Sequence, residues 1–259
     1  MDEFRDFVLS MAKEAGIFLK ERLNDKHVID YKGEINIVTE ADRISEEIIT
    51  SRIYKKYPNH DILAEESAGT ANGSEFRWII DPLDGTTNYA HGYPVFCVSI
   101  ALEKEGIVCL GVIYNPILNE LFVAEKGKGA FLNGQRISVS GTTDLSKSLL
   151  ATGFPYDIRD DENNNINYFN GMAKRAQAIR RAGSAALDMA YIAMGRFDGF
   201  WELKLMPWDT AAGWLLIRES GGKVTDLFGG KFCLESPHVL ATNGKIHDNM
   251  IDVLIKIGS

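Results

Sequence analysis

The sequence predicts a mixed α/β protein in which helices precede a largely antiparallel sheet, followed by alternating strands and helices. Three observations support this prediction. Apolar residues first recur at helical spacing, short apolar runs broken by turn residues come next, and strand-like and helical patterns then alternate. A chain of 259 residues can bury a sizeable core as one large domain or two modest ones.

Two helices are predicted at the amino terminus. In the first, apolar side chains lie between charged ones at a spacing that places them on one face. The second helix is predicted to be capped by residues 39–42 (TEAD) and to end before Pro58. The apolar positions are Phe4, Phe7, Val8, Met11, Ala15, Phe18 and Leu19 in the first helix, and Ile44, Ile48, Ile49 and Ile53 in the second.

Five short strands are predicted in the rest of the first half. Glu105-Gly106 and Asn133-Gly134 carry residues that favour tight hairpin turns, and Gly127-Lys128-Gly129 is predicted to be a further turn. Hairpins join antiparallel strands, so this sheet should be largely antiparallel. The predicted strands are residues 62–64, 78–80, 98–102, 107–114 and 121–123.

The second half alternates strand and helix, which predicts a second α/β layer. Helices are expected to begin near Ser184, Asp209 and Lys245. A polar stretch at residues 141–144 separates the two patterns, and we place the division there, giving an α+β half at 1–142 and an α/β half at 143–259. The predicted strands are residues 149–151, 178–179, 199–203, 223–225 and 239–241.

The charge balance excludes one broad class of function. With 28 basic and 36 acidic residues the formal charge is −8, which argues against the basic surface that nucleic-acid binding needs. An anionic substrate would therefore be attracted locally, by metal ions that acidic residues hold.

The composition also predicts a location. No stretch approaches the ~20 apolar residues of a membrane span, and no basic segment followed by an apolar run opens the chain. Three cysteines, without metal-binding spacing, are interpreted as small core residues. We therefore expect a cytoplasmic protein that does not bind membranes.

The segment WIIDPLDGTTN at residues 78–88 carries the clearest chemistry. An apolar strand ends in Asp81 and Asp84, Pro82 prevents its simple continuation, and Gly85 permits unusual backbone angles. Paired carboxylates suit Mg²⁺, which prefers oxygen ligands. Residues 85–87 are predicted to start a short helix whose free amide groups would face an anion.

A purely structural interpretation of the same acids is also open, because Asp-Pro and Asp-Gly commonly form turns. Two further acidic segments favour a site. Glu65 follows a predicted strand, and Asp209 heads an apolar helix, although alone it would be an ordinary helix cap.

Several motifs together resemble the signatures of the inositol monophosphatase family. The resemblance covers nearly the whole chain, with the motifs in the family's order and approximate spacing, and the combination is far more specific than any single motif. The motifs are VTEAD at 38–42, AEES at 64–67, WIIDPLDGTTNY at 78–89, GFPY at 153–156, GSAA at 183–186 and WDTAAG at 208–213.

This resemblance implies an αβαβα layered sandwich, related to fructose-1,6-bisphosphatase, that forms a homodimer and binds two or three Mg²⁺ ions between its halves. Thr86 would lie near the first ion, Asp42 would support the site or a third ion, and Lys32 would approach on a mobile loop. By motif match the metal ligands would be Glu65, Asp81, the Leu83 carbonyl oxygen, Asp84 and Asp209.

Phosphate ester hydrolysis explains such a set, because cations stabilise charge on the attacking, equatorial and leaving oxygens. The hypothesis assigns water activation to Glu65 and Thr86 with one ion. The leaving alkoxide is stabilised by a second ion on Asp81, Asp84 and Asp209. The amides of Gly85 and Thr86 would hold the phosphate.

Substrate contacts rest on the resemblance. It places Glu202 and the Ala185 backbone near the substrate hydroxyls, although a strand-end glutamate is otherwise a solvated charge. Arg180 and Arg181 could reach a second phosphate or form surface salt bridges.

Three functions remain open. The main hypothesis is a phosphomonoesterase that acts on myo-inositol monophosphate, a small polyol phosphate. The second is the same chemistry on fructose 1,6-bisphosphate, or on both substrates. The third is a protein-binding role in transcription machinery, which the intact set of acidic residues does not favour.

Overall fold

The computed structural model of the chain describes residues 2–25, 27–32, 36–67 and 69–258. Within them lie two large sheets, a two-stranded sheet, seven α-helices and a short 3-10 helix at Leu145–Lys147. The helices are α1 (Asp2–Arg22), α2 (Glu40–Lys56), α3 (Thr86–Ala90), α4 (Ile166–Ala173), α5 (Ala185–Ala193), α6 (Pro207–Glu219) and α7 (His247–Gly258). The strands are β1 (Ile29–Tyr31), β2 (Ile37–Thr39), β3 (Asp61–Ala64), β4 (Phe76–Asp84), β5 (Cys97–Lys104), β6 (Ile107–Asn115), β7 (Glu120–Glu125), β8 (Gly129–Leu132), β9 (Gln135–Arg136), β10 (Leu149–Thr152), β11 (Ala178–Arg180), β12 (Gly199–Leu203), β13 (Lys223–Thr225) and β14 (His238–Thr242).

The two amino-terminal helices are confirmed. The Thr39 hydroxyl caps α2 by accepting a hydrogen bond from the Ala41 amide, and Asp42 Oδ2 accepts one from the Thr39 amide. The helix ends at Lys56, before Pro58 as predicted. None of the described helices is both long and apolar enough to cross a bilayer.

The seven-stranded sheet has the order β3-β4-β5-β6-β7-β8-β9, and every neighbouring pair except β3 and β4 is antiparallel. The predicted hairpin turn lies between β5 and β6, where Glu105 and Gly106 have φ of 50° and 78°. Two successive positive φ angles match the right-handed twist of the strands. The prediction of a largely antiparallel sheet is therefore confirmed.

Alternation along the strands separates two cores. Trp78 and Ile80 on β4 face α1 and α2, whereas Ile79 points to the opposite face, where α5 and α6 pack. Both faces are covered, which explains why the central strands are apolar at nearly every position.

The second sheet, of order β11-β10-β12-β14-β13, completes the layers. Phe200 on β12 packs with α5 and α6, while Trp201 points to a third core that includes Met172 of α4 and Met250 of α7. The order is α1/α2, first sheet, α5/α6, second sheet, α4/α7. This is the αβαβα sandwich that the family resemblance implied.

Pro82 interrupts the regular pairing of β4, as expected. Asp81 pairs with Ser99 and Asp84 with Cys97, so the strand passes through a bulge of one extra residue before it ends at Asp84. The antiparallel pair β1/β2 and helix α4 were not predicted, because both are short. The interpretation of the cysteines as core residues was wrong for Cys233, which is exposed, unlike the buried Cys97.

The predicted division at residue 142 falls between the two sheets. The first sheet ends at Arg136 and the second begins at Leu149. One core, however, is shared by side chains from both sheets. The division into 1–142 and 143–259 stays a prediction.

Candidate active site

The end of β4 forms the floor of the candidate site. Asp81 and Asp84 are 1% and 8% exposed, and the Leu83 amide donates to Asp81 Oδ1 at 3.0 Å. The extra residue in the bulge alters the strict side-chain alternation of a regular strand. Burial, together with the charges of neighbouring acids, raises the pKa of Asp81 well above its usual range.

Gly85 joins the strand to α3 in a conformation that other residues avoid. Its φ is +107°, and a Cβ at this position would lie 2.9 Å from the Val95 carbonyl oxygen. The chain can therefore turn at once into α3, whose first residue is Thr86. The prediction of a short helix at this point is confirmed.

Thr86 is fixed by contacts on two sides. Its hydroxyl donates to Asp42 Oδ1 at 2.7 Å and lies 3.1 Å from the Leu83 carbonyl oxygen. Asp42 is fully buried in the first turn of α2, where Oδ2 accepts from the Thr39 amide and hydroxyl at 2.8 and 2.6 Å. Burial raises the pKa of Asp42, and these hydrogen bonds oppose the rise.

Glu65 and Lys32 approach each other from separate segments. Glu65 directly follows β3, and Lys32 follows β1. The Lys32 ammonium lies 3.2 Å from Glu65 Oε1 and 2.5 Å from Glu66 Oε1. Burial raises the pKa of Glu65 to about 7, although the Lys32 charge acts in the opposite direction.

Asp209 reaches the site from the second half of the chain. It lies in the first turn of α6, where Oδ2 accepts from the Met206 amide at 2.6 Å. The capping role expected from its position is therefore present, but the N-cap itself is Met206. Burial and the charges of Asp84 and Glu65 raise the pKa of Asp209. The hydrogen bond from the Met206 amide acts in the opposite direction.

Four carboxylates thus form one electrostatic cluster. After burial, the charges that most raise the pKa of Asp81 are those of Glu65, Asp84 and Asp209. Like charges held together in a buried place repel, and bound cations relieve such repulsion. The cluster draws three members from the first half of the chain and one from the second.

We tested whether these residues fit a metal ion. In the part of the chain that the structure describes, no three His, Cys, Asp or Glu side chains converge on one point closely enough to hold an ion. Protein donors occupy one oxygen of Asp81, Asp84, Glu65 and Asp209. Mg²⁺ takes few protein carboxylates and keeps several waters, so the remaining oxygens fit hydrated Mg²⁺.

A second group of residues adjoins the cluster. Asp84 Oδ2 accepts from the Ser184 hydroxyl at 2.6 Å and from the Ala186 amide at 2.7 Å, which places the start of α5, including Ala185, beside the site. Glu202 on β12 lies over Gly153, where a Cβ would be 2.0 Å from its Oε1. Burial and the Asp84 charge raise the pKa of Glu202 to about 8.

The two arginines differ in their surroundings. Both are exposed, and Arg180 donates to the Ile179 carbonyl oxygen at 3.2 Å. The Arg181 charge acts on Glu202 and counters the rise in its pKa. Arg181, rather than Arg180, is thus the arginine that the structure associates with the site.

Sequence reasoning assigned no role to three polar residues in this region. Ser184 bonds to Asp84, Glu66 shares Lys32 with Glu65, and Asp188 is buried on α5. Asp188 carries a signal that could have been used, because it is the one acidic residue in the otherwise apolar segment AALDMAYIA.

The fold and the site together define a layered α/β enzyme class with an acidic, oxygen-rich centre at the end of a strand. The sequence profile of the inositol monophosphatase family matches residues 1–258. The chain therefore belongs to the inositol monophosphatase family and is a phosphatase, in a family that is generally metal-dependent.

Individual relatives agree on the family and carry two kinds of name. An inositol-1-monophosphatase from Mesorhizobium japonicum is 44% identical over 229 residues, covering 88% of this chain and 86% of that protein. The Nus factor SuhB from Pseudomonas aeruginosa is 42% identical over 252 residues, covering 95% and 93%. The overall sequence identity therefore does not distinguish relatives named inositol monophosphatase from relatives named Nus factor SuhB.

Solved structures confirm the fold. An inositol monophosphatase from Anabaena superposes with a TM-score of 0.91 at 45% identity, covering 99% of this chain and 96% of that one. The extragenic suppressor protein suhB from Bartonella henselae gives 0.94 at 41% identity, covering 98% and 99%. Both matches cover nearly the whole of each chain.

Proposed function

We propose that this phosphatase is a Mg²⁺-dependent phosphomonoesterase that hydrolyses myo-inositol monophosphate to myo-inositol and phosphate. The observation that carries the proposal is the cluster of Glu65, Asp81, Asp84 and Asp209, next to a partly buried Glu202. The cluster provides the oxygen chemistry for Mg²⁺, and Glu202 provides an acceptor for substrate hydroxyls. Relatives named inositol monophosphatases support the choice of substrate.

Bound Mg²⁺ would supply positive charge that neutralises the phosphate and lowers the pKa of a coordinated water. The ligands would be Asp81, Asp84, Asp209, Glu65 and the Leu83 carbonyl oxygen, of which each carboxylate keeps one oxygen without a described protein donor. In this proposal the ions number two or three.

The protein's own groups orient the attacking water. The Thr86 hydroxyl donates to Asp42, so its oxygen lone pairs remain available to accept a hydrogen bond from the attacking water. The Glu65 carboxylate is the second group on that water and would accept the proton that the water loses. Asp42 keeps Thr86 oriented and supports the site.

The substrate is held at two ends. The Gly85 and Thr86 amides lie at the N-cap and the first residue of α3, where no helical carbonyl is available to them, so they bind the phosphate oxygens. Glu202 and the Ala185 backbone accept hydrogen bonds from the ring hydroxyls and donate hydrogen bonds to them. Asp84 lies between the two ends and is itself held by Ser184 and Ala186.

A bisphosphate such as fructose 1,6-bisphosphate is the alternative substrate. Arg181 favours it, because its exposed guanidinium lies near Glu202 and could meet a second phosphate. A dual activity would use the same cluster for both reactions. Arg180 has no comparable link to the site among the described contacts.

The non-enzymatic alternative is a partner role in transcription machinery. It is favoured by relatives named Nus factor SuhB at 40–42% identity. The acidic cluster would be unexplained by binding alone, so we rank this role third, after the two phosphatase activities. The homodimer that the family resemblance implies, the absence of nucleic-acid binding and the cytoplasmic location remain predictions.

The test is phosphate release from inositol 1-phosphate, fructose 1,6-bisphosphate and adenosine 3′,5′-bisphosphate, each with and without Mg²⁺. We expect Mg²⁺-dependent release, fastest from inositol 1-phosphate, and comparable rates on the first two would show dual activity. No release from any of the three, together with stoichiometric recovery of transcription proteins from cell extract, would overturn the proposal.

A further inference from the structure

Asp188 is a buried acid that the proposed reaction does not use. It lies on α5, is 1% exposed, and its Oδ1 has no hydrogen-bond partner among the described residues. Burying a carboxyl oxygen without a partner is costly, and such groups are usually satisfied by protein or by an ordered water. Its place in this otherwise apolar helix therefore calls for a functional reason.

The surroundings of Asp188 link it to Glu202. Apart from burial, the largest influence on the pKa of Asp188 is the Glu202 charge, followed by the charges of Asp84 and Arg181. Asp84 and Arg181 also act on Glu202. Helix α5 also packs against β12, whose Phe200 lies in the core that α5 shares. Asp188 and Glu202 therefore lie on two elements in contact, on the α5 and β12 side of the site.

The Glu202 carboxyl itself needs an orienting contact. It lies over Gly153, where the missing side chain leaves room for both carboxyl oxygens. Among the described residues, none donates a hydrogen bond to this carboxyl. A side chain that accepts hydrogen bonds from substrate hydroxyls contributes most to affinity when it is already held in place, because a mobile side chain loses conformational entropy on binding.

We infer that Asp188 is a positioning residue that holds Glu202 toward the substrate hydroxyls through one buried water. A water can donate to both carboxyl groups at once, which satisfies Asp188 Oδ1 and fixes the rotamer of Glu202. The pair would thereby favour phosphate esters of polyols over phosphate esters without hydroxyls. This inference rests on the proposed function.

A simpler role would be structural. Asp188 lies in the first turn of α5, where a negative charge interacts favourably with the helix dipole. Loss of that interaction would lower stability and affect all substrates alike. The two roles therefore differ in substrate selectivity, and selectivity is the quantity to measure.

The experiment compares kcat and KM for inositol 1-phosphate with those for phenyl phosphate, which has no hydroxyl groups. The selectivity is the ratio of the two kcat/KM values. We expect Asp188→Leu and Glu202→Gln each to lower it about tenfold, mainly through KM for inositol 1-phosphate, since leaving a buried hydrogen-bonding group without its partner costs roughly that much. The double variant should be no worse than Glu202→Gln.

Two further variants complete the design. Asp188→Asn keeps an acceptor oxygen and should retain more selectivity than Asp188→Leu, and it replaces that variant if leucine prevents folding. Ile192→Val, a buried change on the same helix, is the control and should leave the selectivity ratio as it is.

Equal losses on both substrates, or additive losses in the double variant, would overturn this inference alone. A wild-type enzyme that releases phosphate from neither ester would overturn the proposed function, and this inference with it.

Discussion

At the residue scale, two acids serve both the helices and the site. Asp42 reaches back to the Thr39 amide at the start of α2 and also accepts from Thr86. Asp209 reaches back to the Met206 amide at the start of α6 and faces the carboxylate cluster. A helix cap fixes a carboxylate efficiently, because the backbone bond holds one oxygen and leaves the other available for a second contact.

Asp84→Asn should fold normally and lose most turnover. The asparagine amide oxygen can still accept hydrogen bonds from Ser184 and Ala186. The substitution, however, removes the negative charge that binds a cation. We expect kcat at saturating Mg²⁺ to fall about 100-fold or more, as for other groups that stabilise developing charge. Phosphate release and the thermal midpoint measure the two effects.

Asp226→Asn is the matched control for that change. Asp226 also accepts backbone hydrogen bonds, from Phe228 and Gly230, in the turn that follows β13, and it contacts no member of the acidic cluster in the described hydrogen bonds. Its turnover should equal that of the wild type. Unchanged turnover in Asp84→Asn at saturating Mg²⁺ would contradict the metal-ligand assignment.

His247 should make stability depend on pH. It is buried between the Thr242 and Thr225 hydroxyls, and burial lowers its pKa to about 4. Because the unfolded chain binds the proton more readily, the contribution is complete above about pH 6.5 and is lost as the pH falls toward 4. At pH 5 the loss is about 2 kcal/mol.

The measurement is the free energy of unfolding in urea at pH 7.5 and pH 5. Wild type should lose about 2 kcal/mol more than His247→Gln, because the acidic cluster titrates equally in both proteins. The exposed His91→Gln is the control and should follow the wild type. Parallel losses in wild type and His247→Gln would refute the prediction.

At the element scale, four helices begin at the site. The first turns of α2 and α6 hold Asp42 and Asp209, α3 begins with Thr86, and the first turn of α5 contains the Ala186 amide that binds Asp84. The amino-terminal ends of helices carry partial positive charge, which favours nearby anions. Such an arrangement stabilises the buried carboxylates and, in the proposed function, would also stabilise an incoming phosphate.

Gly85→Ala should damage both stability and turnover. A Cβ here combines a positive φ with a 2.9 Å approach to the Val95 carbonyl oxygen, so β4, α3 and the segment at Val95 must shift. The positive φ alone costs about 1–2 kcal/mol, and the clash adds to it. Chemical denaturation and phosphate release give the two readouts.

Gly92→Ala separates conformational strain from displacement of the site. Its φ is +67°, but a Cβ there meets nothing within 4 Å. It should lose about 1 kcal/mol of stability and keep its turnover. If Gly85→Ala proved no worse than Gly92→Ala in either measurement, the close approach at Gly85 would not matter.

At the scale of the whole molecule, the site joins the two sheets. Glu65, Asp81 and Asp84 lie at the first sheet, Asp209 lies on a helix packed between the sheets, and Glu202 lies on the second sheet. Helices α5 and α6 share one core with both sheets, so they fix the distance between these groups. The layered packing therefore sets the site geometry.

Mg²⁺ should stabilise the whole molecule by binding the cluster. A ligand that binds only the folded state at 100 times its Kd adds about 2.7 kcal/mol to the free energy of unfolding. We expect the thermal midpoint to rise with Mg²⁺ and to return when EDTA is added, and Asp209→Asn should reduce the rise. NaCl at the same ionic strength is the control. A rise of equal size with NaCl would indicate charge screening instead.

Much of the fold could be predicted from local patterns. The capped helix α2 and the hairpin at Glu105-Gly106 follow from their own residues, and both are confirmed. The continuation of β4 past Pro82 could not be predicted, because the bulge depends on pairing with Ser99 and Cys97. The roles of Ser184 and Asp188 likewise depend on contacts between segments far apart in the chain.

The sequence by itself determined the elements, the family and the candidate acids, because spacing, turn residues and motifs are local in the chain. The family resemblance already grouped Asp209 with Glu65, Asp81 and Asp84. Only the tertiary structure decided that Arg181 rather than Arg180 is linked to Glu202, and that Asp188 is buried without a described partner. The physical reason is that burial and electrostatic interaction depend on distance in space, which the packing of the layers sets.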